Sequence, residues 1–81
     1  IAGHTDDTPI LHHPKYHTNF DLSAARAATV ADSLSALLDV PRKRIDVIGY
    51  ADTRPLVPNT SQKNREKNRR IEIIMDTNNP S

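Results

Sequence analysis

The stretch L-S-A-A-R-A-A-T-V-A-D-S-L-S-A-L-L, residues 22–38, decides the fold class of this chain. Its apolar side chains recur with the 3.6-residue period of an α-helix and form one stripe on its surface. The members of the stripe are Ala27, Val30, Ala31, Leu34, Leu37 and Leu38. Asp21 or Ser23 can cap the N-terminus by accepting a bond from a free backbone N–H. Pro41 prevents continuation, so we expect the helix to end at Leu38.

Two strands are predicted after this helix. Residues 44–50 (R-I-D-V-I-G-Y) alternate apolar and polar side chains, and Gly49 there suggests a bend or a close backbone approach. Residues 70–75 (R-I-E-I-I-M) form the second predicted strand, with Ile71, Ile73 and Met75 on one face.

Loops and a second helix fill the rest of the chain. Residues 6–21 contain two prolines and no sustained period, so they are predicted to form a long loop, and long loops in small domains are often functional. Residues 51–60 are a second predicted loop. Residues 61–68 are predicted to form a short polar helix capped by Thr60 or Ser61.

The first six residues, I-A-G-H-T-D, resemble the end of a strand that runs into a loop. We therefore expect the fold to begin before Ile1. The resulting order is strand, helix, strand, helix, strand, which favours helices packed on a sheet and an α/β fold. We expect residues 1–76 to form the domain and residues 77–81 a flexible tail.

Bulk composition excludes several classes of function. The 81 residues fit one small domain, and a hydrophobic content of 36% supports one sheet with helices on it, not a large ligand cavity. The net charge of +1 gives no global field that would recruit nucleic acid. The chain has no cysteine, which removes disulfide and thiolate chemistry. No run approaches the roughly 18 apolar residues of a membrane span, and no signal peptide is visible. If the protein is exported, we expect its export signal or membrane anchor to lie outside these residues.

Four motifs occur in a fixed order along the chain. They are G-H-T-D-D (residues 3–7), N-F-D-L-S-A-A-R-A-A-T-V (19–30), I-G-Y-A-D-T-R-P-L (48–56) and N-R-E-K-N-R-R-I-E-I (64–73). Together they resemble the OmpA C-terminal-like family of peptidoglycan-binding domains. The resemblance implies a mixed β-sheet with two helices on one face and a final strand lying antiparallel in the sheet interior.

Within that family, the T-D-D-x-P-I form and the long loop after it look most like the flagellar stator B proteins (MotB/PomB). Phe20 stands where those proteins commonly have Trp. The resemblance implies non-catalytic binding of the diaminopimelate-containing stem peptide of peptidoglycan, which anchors a parent membrane protein to the cell wall.

The family's ligand presents an ammonium and a carboxylate on one stereocentre. Asp6 and Arg26 match the motif positions that meet them, and a guanidinium is a planar bidentate donor suited to a carboxylate. Arg26 lies about 85° from the centre of the apolar stripe, at the edge of the core, near a helix N-terminus with free N–H groups.

Other motif positions complete the predicted ligand site. Thr5 and Asn19 match the motif and can add neutral hydrogen bonds, and Leu22 is the expected contact at the helix entry. The N-R-R motif gives Arg69 and Arg70 a supporting role, in which one or the other ties down a carboxylate loop near the site.

The alternative for Asp6 and Arg26 is a structural ion pair with each other, since most ion pairs are structural. For the histidines at positions 4, 12, 13 and 17 the preferred interpretation is solvated loop side chains. His13 and His17 are four residues apart, but Pro14 between them argues against a shared metal, so no metal and no cofactor are expected.

Two further classes of function, nucleic-acid binding and acid–base catalysis, have candidate residues in the sequence. Residues 63–70 hold five bases and one acid; without interleaved aromatics they favour a solvated helix face, and no nucleic-acid partner is expected. Asp46, Asp52 and Glu72 raise the possibility of acid–base chemistry, but no nucleophile arrangement accompanies them, so no enzyme is expected.

The resemblance also implies where the domain works. We expect a periplasmic domain of an inner-membrane protein, a homodimer in the parent, and an A-type stator membrane subunit as partner. The alternatives are a Pal-like or OmpA-like outer-membrane tether, a type VI secretion (TssL-like) wall anchor, and a hydrolase.

Overall fold

A computed structural model describes residues 1–75 as a small mixed β-sheet with two α-helices. The elements are β1 (Ala2–Gly3), α1 (Asn19–Leu38), a 3₁₀ turn (Arg42–Arg44), β2 (Ile48–Gly49), α2 (Gln62–Asn68) and β3 (Ile71–Glu72). Their order confirms the predicted α/β fold. The predicted tail, residues 77–81, and the domain end at residue 76 lie outside the described residues.

β1 is the middle strand of the described sheet, whose order is β2-β1-β3. β2 runs parallel to β1 and β3 runs antiparallel to it. The antiparallel direction of the final strand is as expected. The expectation that the final strand lies in the sheet interior is wrong for residues 1–75, because β1 is the middle strand and β3 lies at an edge.

The strands are shorter than the alternating patterns predicted. Only Ile48–Gly49 of residues 44–50 pairs with β1, and only Ile71–Glu72 of residues 70–75 does so. Ile73 and Met75 were expected to share a face with Ile71, but they lie beyond the strand and are exposed. Alternation identifies extended backbone, whereas a strand also needs a partner, and β1 offers two paired residues on each side.

Small residues let α1 lie directly on the sheet. Ser23, Ala27 and Ala31 are buried at four-residue spacing. A Cβ on Gly3 would overlap the backbone carbonyl of Ser23, and one on Gly49 would lie 2.7 Å from the Ala24 nitrogen. The close approach predicted at Gly49 is therefore confirmed, and both strands need glycine where the helix crosses them.

The second half of α1 extends beyond the sheet. Val30 and Leu34 are half-buried, while Leu37 and Leu38 are 81% and 67% exposed. A helix of 20 residues is about 30 Å long, which exceeds the width of sheet beneath it. Within residues 1–75 no helix combines the length and apolar character that a membrane span needs.

α1 begins three residues before its predicted start at Leu22. Thr18, not Asp21 or Ser23, is the N-cap, and its hydroxyl accepts the Asp21 N–H at 3.2 Å. The Asp21 carboxylate in turn accepts the N–H of His17 at 3.3 Å. A Thr followed three residues later by an acid is a capping-box pattern, and it marks a helix start that the apolar stripe does not contain.

α2 is capped by Ser61, one of the two predicted residues, and it ends in a buried amide. Asn68 is fully buried, and its side chain accepts the N–H groups of Leu56 and Val57 at 2.9 and 3.1 Å. Its amide nitrogen donates to the carbonyl of Val57 and to the side chain of Asn59. One side chain thus fixes residues 56–59 against the helix.

Replacing Asn68 with alanine is expected to lower the free energy of unfolding by about 2 kcal/mol, because buried polar partners lose their hydrogen bonds. Urea denaturation followed by circular dichroism measures the change. Asn64→Ala on the same helix is the matched control, since the Asn64 side chain makes one exposed 3.4 Å bond. Equal effects of the two variants would contradict the role assigned to Asn68.

Candidate ligand-binding site

Asp6 lies just beyond β1, and its carboxylate is 7% exposed. Its Oδ2 pairs with Nη1 of Arg69 at 2.5 Å, and its Oδ1 accepts the N–H of Thr8 at 2.9 Å. The Thr8 side chain also bonds to this carboxylate, which leaves about one of its roughly four acceptor positions for a ligand. The Asp6 carboxylate is therefore both held in place and able to accept a further donor.

The surroundings keep this carboxylate charged. Burial by itself would raise the pKa of Asp6, but the Thr8 N–H and the Arg69 guanidinium outweigh it and lower the pKa below the ordinary value of 3.8. A charged carboxylate such as that of Asp6 is a suitable hydrogen-bond acceptor for an ammonium group.

The start of α1 lies against the Asp6 segment. The Asn19 side-chain amide donates to the backbone carbonyls of Asp6 and Thr8, at 3.5 and 3.2 Å. Thr5 is buried, and its hydroxyl donates to the Asp6 carbonyl at 2.8 Å. Leu22 is half-buried one turn further along the helix. The structure thus brings Thr5, Asp6 and Asn19 together through direct bonds.

Arg26 is exposed, although it was placed at the edge of the core. The buried residues of the helix are Ser23, Ala27 and Ala31, which puts Arg26 about 100° from the centre of the buried side. It makes no hydrogen bond or ion pair with residues 1–75. The guanidinium keeps its donors available.

Asn19, Leu22 and Arg26 are three and four residues apart, so they lie on one face of α1. About 10 Å of helix separates Asn19 from Arg26. Helical side chains lean toward the N-terminus, so a long side chain at position 26 is directed back toward the Asn19 end.

The partner of Asp6 is Arg69, so the alternative of a structural Asp6–Arg26 pair is wrong. The two arginines of the N-R-R motif have separate partners. Arg69 holds the Asp6 carboxylate, whereas Arg70 bonds Glu72 at 2.7 Å and the carbonyl of Arg54 at 3.1 Å. The N-R-R motif indicated both residues but did not distinguish their directions.

The basic run at residues 63–70 is partly neutralised by acids. Arg65 lies 3.5 Å from Asp7, in addition to the pairs of Arg69 with Asp6 and Arg70 with Glu72. Arg65 lies on α2, and Arg69 and Arg70 follow it directly, so this segment connects the loop after β1 to the rest of the domain. Sequence analysis missed Arg65, since no pattern shows which acid a surface base will meet.

The histidines divide into two groups. Those at positions 12, 13 and 17 are exposed, as expected for loop side chains. His4 was assigned to the same group, but it is 3% exposed, because the end of β1 runs under the loop after β2 and beside Arg70. Among residues 1–75 no three His, Asp or Glu side chains are grouped as metal ligands would be.

A cleft of about 420 Å³ lies beside the Asp6 segment. The long loop, the start of α1 and the turn after β2 form its walls. Its lining residues are Asp7, Pro9, Ile10, His17, Thr18, Asn19, Phe20, Ala51 and Asp52. The cleft is open, and Asn19 connects it to Asp6.

Comparison with known proteins places this geometry in a family. The sequence pattern described as "OmpA family" matches residues 1–69. The chain belongs to the OmpA family. This OmpA-family chain also resembles a solved structure, that of a putative MotB-like protein from Desulfovibrio vulgaris, with a TM-score of 0.76 and 31% sequence identity. The match covers 84% of this chain and 41% of that one, and it agrees with the predicted OmpA-like fold.

Several curated proteins share the OmpA-family sequence. The chain is 39% identical to YtxE of Bacillus subtilis over 93% of its length, and 35% identical to motility protein B of Helicobacter pylori over 95%. It is 37% identical over 94% of its length to the peptidoglycan-binding protein ArfA of Mycobacterium tuberculosis. It spans 31%, 29% and 22% of these three proteins, so each relative is much longer than the matched domain.

Proposed function

We propose that this OmpA-family domain binds peptidoglycan without catalysis, through the diaminopimelate of the stem peptide. The observation that carries the proposal is a charged, fixed Asp6 carboxylate beside a helix face on which the Arg26 guanidinium has no partner among residues 1–75. The ligand's ammonium would bond Asp6 and its carboxylate would bond Arg26. The similarity to proteins named motility protein B and peptidoglycan-binding protein supports this ligand.

Thr5, Asn19 and Leu22 complete the proposed site. Thr5 and Asn19 fix the backbone of Asp6, and Asn19 retains a side-chain oxygen that can accept a bond from the ligand. Leu22 lies between Asn19 and Arg26 on the same face of α1 and offers an apolar contact. Arg69 supports the site by holding Asp6, and Arg70 supports it from the sheet.

We further propose that the parent protein is a flagellar stator subunit that this domain anchors to the cell wall. The domain would then be the periplasmic part of an inner-membrane protein, dimeric in the parent, with an A-type stator subunit as membrane partner. A relative named "Outer membrane protein", 36% identical over 93% of the chain, favours an outer-membrane tether as the second candidate. A membrane-spanning helix upstream in the parent supports the stator, and a lipobox or β-barrel supports the tether.

Co-sedimentation of the folded domain with purified insoluble peptidoglycan tests the binding. We expect the wild type to pellet with the wall and free meso-diaminopimelate to displace it. L-Lysine has the same side-chain ammonium without the carboxylate, so it is the matched control and is expected to displace the domain far less. A folded domain that stays in the supernatant, or that both compounds displace equally, contradicts the proposal.

A further inference from the structure

His4 occupies a position that the proposed binding site does not explain. It follows β1 directly, and its backbone exchanges two hydrogen bonds with Arg70, at 2.9 and 3.3 Å. The side chain is 3% exposed, and neither ring nitrogen has a hydrogen-bond partner among the described residues. Buried polar atoms are nearly always satisfied, so an imidazole left without partners needs a reason.

Titratable and charged groups face the His4 ring from two sides. From the loop after β2, the Tyr50 ring stacks on it at 5.2 Å between centroids, and the Arg54 guanidinium covers the Tyr50 ring at 4.1 Å. From the β3 side, the Glu72 Oε1 lies 3.5 Å from Nε2 of His4 and already accepts Nε of Arg70 at 2.7 Å. The Glu72 Oε1 therefore lies between Arg70, which donates a hydrogen bond to it, and His4, which does not.

These surroundings favour the neutral imidazole. Burial, together with the charges of Arg70 and Arg54, lowers the pKa of His4 below its ordinary value of 6.5, although Glu72 opposes them. A proton on His4 would create a second N–H donor in a buried site. Among residues 1–75, the carboxylate oxygen placed near this donor is Oε1 of Glu72, to which Arg70 already donates.

We propose that His4 is a pH-sensitive switch, which keeps the Asp6 site in its binding geometry while the imidazole is neutral and releases it on protonation. A protonated His4 competes with Arg70 for Glu72. Arg70 also donates to the carbonyls of Arg54 and Asn68, so its displacement disturbs both the loop after β2 and the end of α2.

The connection from His4 to the ligand site is short. Asp6 is two residues beyond His4, and Arg69 directly precedes Arg70. The two backbones that His4 and Arg70 join therefore carry the two halves of the Asp6–Arg69 ion pair. A change in the distance between the His4 and Arg70 backbones therefore changes the Asp6–Arg69 ion pair.

The direction of the pH effect follows from proton linkage. Below about pH 6.5 an unfolded chain protonates this histidine, whereas the folded domain resists until a lower pH. The contribution of neutral His4 to stability is complete above that value and is lost as the pH falls through the window below it. The ligand-binding part of the proposal rests on the proposed function; the change in stability does not.

The test compares His4→Phe, which keeps a ring against Tyr50 without a titrating group, with His12→Asn, which removes an exposed histidine. Thermal unfolding midpoints are measured between about pH 5 and pH 8, the range in which histidine titrates. The wild type and His12→Asn should lose stability on acidification, and His4→Phe should lose clearly less. Identical pH profiles for all three proteins overturn the switch.

Nuclear magnetic resonance of the wild type gives a second readout that does not depend on any variant folding. The Arg69 side-chain signals should move with the same midpoint as the His4 ring, and Arg69 signals that stay fixed through the His4 titration overturn the switch. Retention on insoluble peptidoglycan should be at least about fivefold weaker at pH 5 than at pH 7.5, the lower end of the usual coupling between two sites. Equal retention while His4 is protonated overturns the switch. No retention at any pH, with the Arg69 signals still following the His4 titration, overturns the proposed ligand and leaves the switch standing.

Discussion

Replacing Arg26 with alanine is expected to weaken retention on peptidoglycan by about 10- to 150-fold, since a hydrogen bond to a charged group contributes about 1.5–3 kcal/mol. The same change should alter the free energy of unfolding by less than about 0.5 kcal/mol, as surface substitutions usually do. Arg26 is exposed and makes no hydrogen bond or ion pair with residues 1–75. Binding isotherms and urea denaturation measure the two quantities separately.

Two further variants show whether the weaker retention of Arg26→Ala comes from the loss of a specific contact or from the loss of charge. Arg26→Lys keeps the charge but loses the planar fork, so its retention should lie between those of wild type and Arg26→Ala. Arg42→Ala removes an arginine from the 3₁₀ turn beyond the far end of α1 and should bind as the wild type does. If Arg42→Ala weakens binding as much as Arg26→Ala does, the interaction is a general charge attraction and not a site.

Replacing Gly3 with alanine is expected to lower the free energy of unfolding by about 3 kcal/mol or more, at the upper end of overpacking effects. The added methyl would overlap the backbone carbonyl of Ser23, and a backbone atom cannot rotate away as a side chain can. A domain of this size has about 4–12 kcal/mol of stability, so the loss is a large part of the total. Urea denaturation followed by circular dichroism measures it.

Ala28→Ser is the control for Gly3→Ala, because it adds one heavy atom on the exposed side of α1. We expect it to change the free energy of unfolding by about 0.5 kcal/mol or less. A Gly3→Ala protein as stable as this control would mean that α1 can move away from the sheet at little cost. The close contact between the helix and β1 would then not be essential to the fold.

Much of the fold could be predicted from local patterns. The stripe on α1 and Pro41 correctly gave a helix ending at Leu38, and Ser61 was one of two named caps for α2. The strand lengths could not be predicted, because pairing depends on which backbone lies alongside. The exposure of Leu37 and Leu38 could not be predicted either, since an apolar stripe on a helix does not show how far the sheet beneath it extends.

The candidate site was likewise predicted in part. Motif positions named Asp6, Asn19 and Arg69, and the structure joins them through direct contacts. The burial of His4 was missed because one histidine beside a loop carries no periodic signal. Arg26 lies close to its expected angle from the buried side, but that angle does not give exposure, because a long charged side chain at the edge of the core can extend into solvent.

The glycines beneath α1 make the separation between Asn19 and β1 a property of main-chain atoms. Where Gly3 and Gly49 lie under the helix, backbone contacts set how far α1 stands from the strand that leads to Asp6, and the side chains on the outer face of the helix take no part in that spacing. Selection for a different ligand can therefore act on the outer face of α1, at positions such as Leu22 and Arg26, without disturbing the core. A scaffold of this kind separates the evolution of specificity from the maintenance of stability.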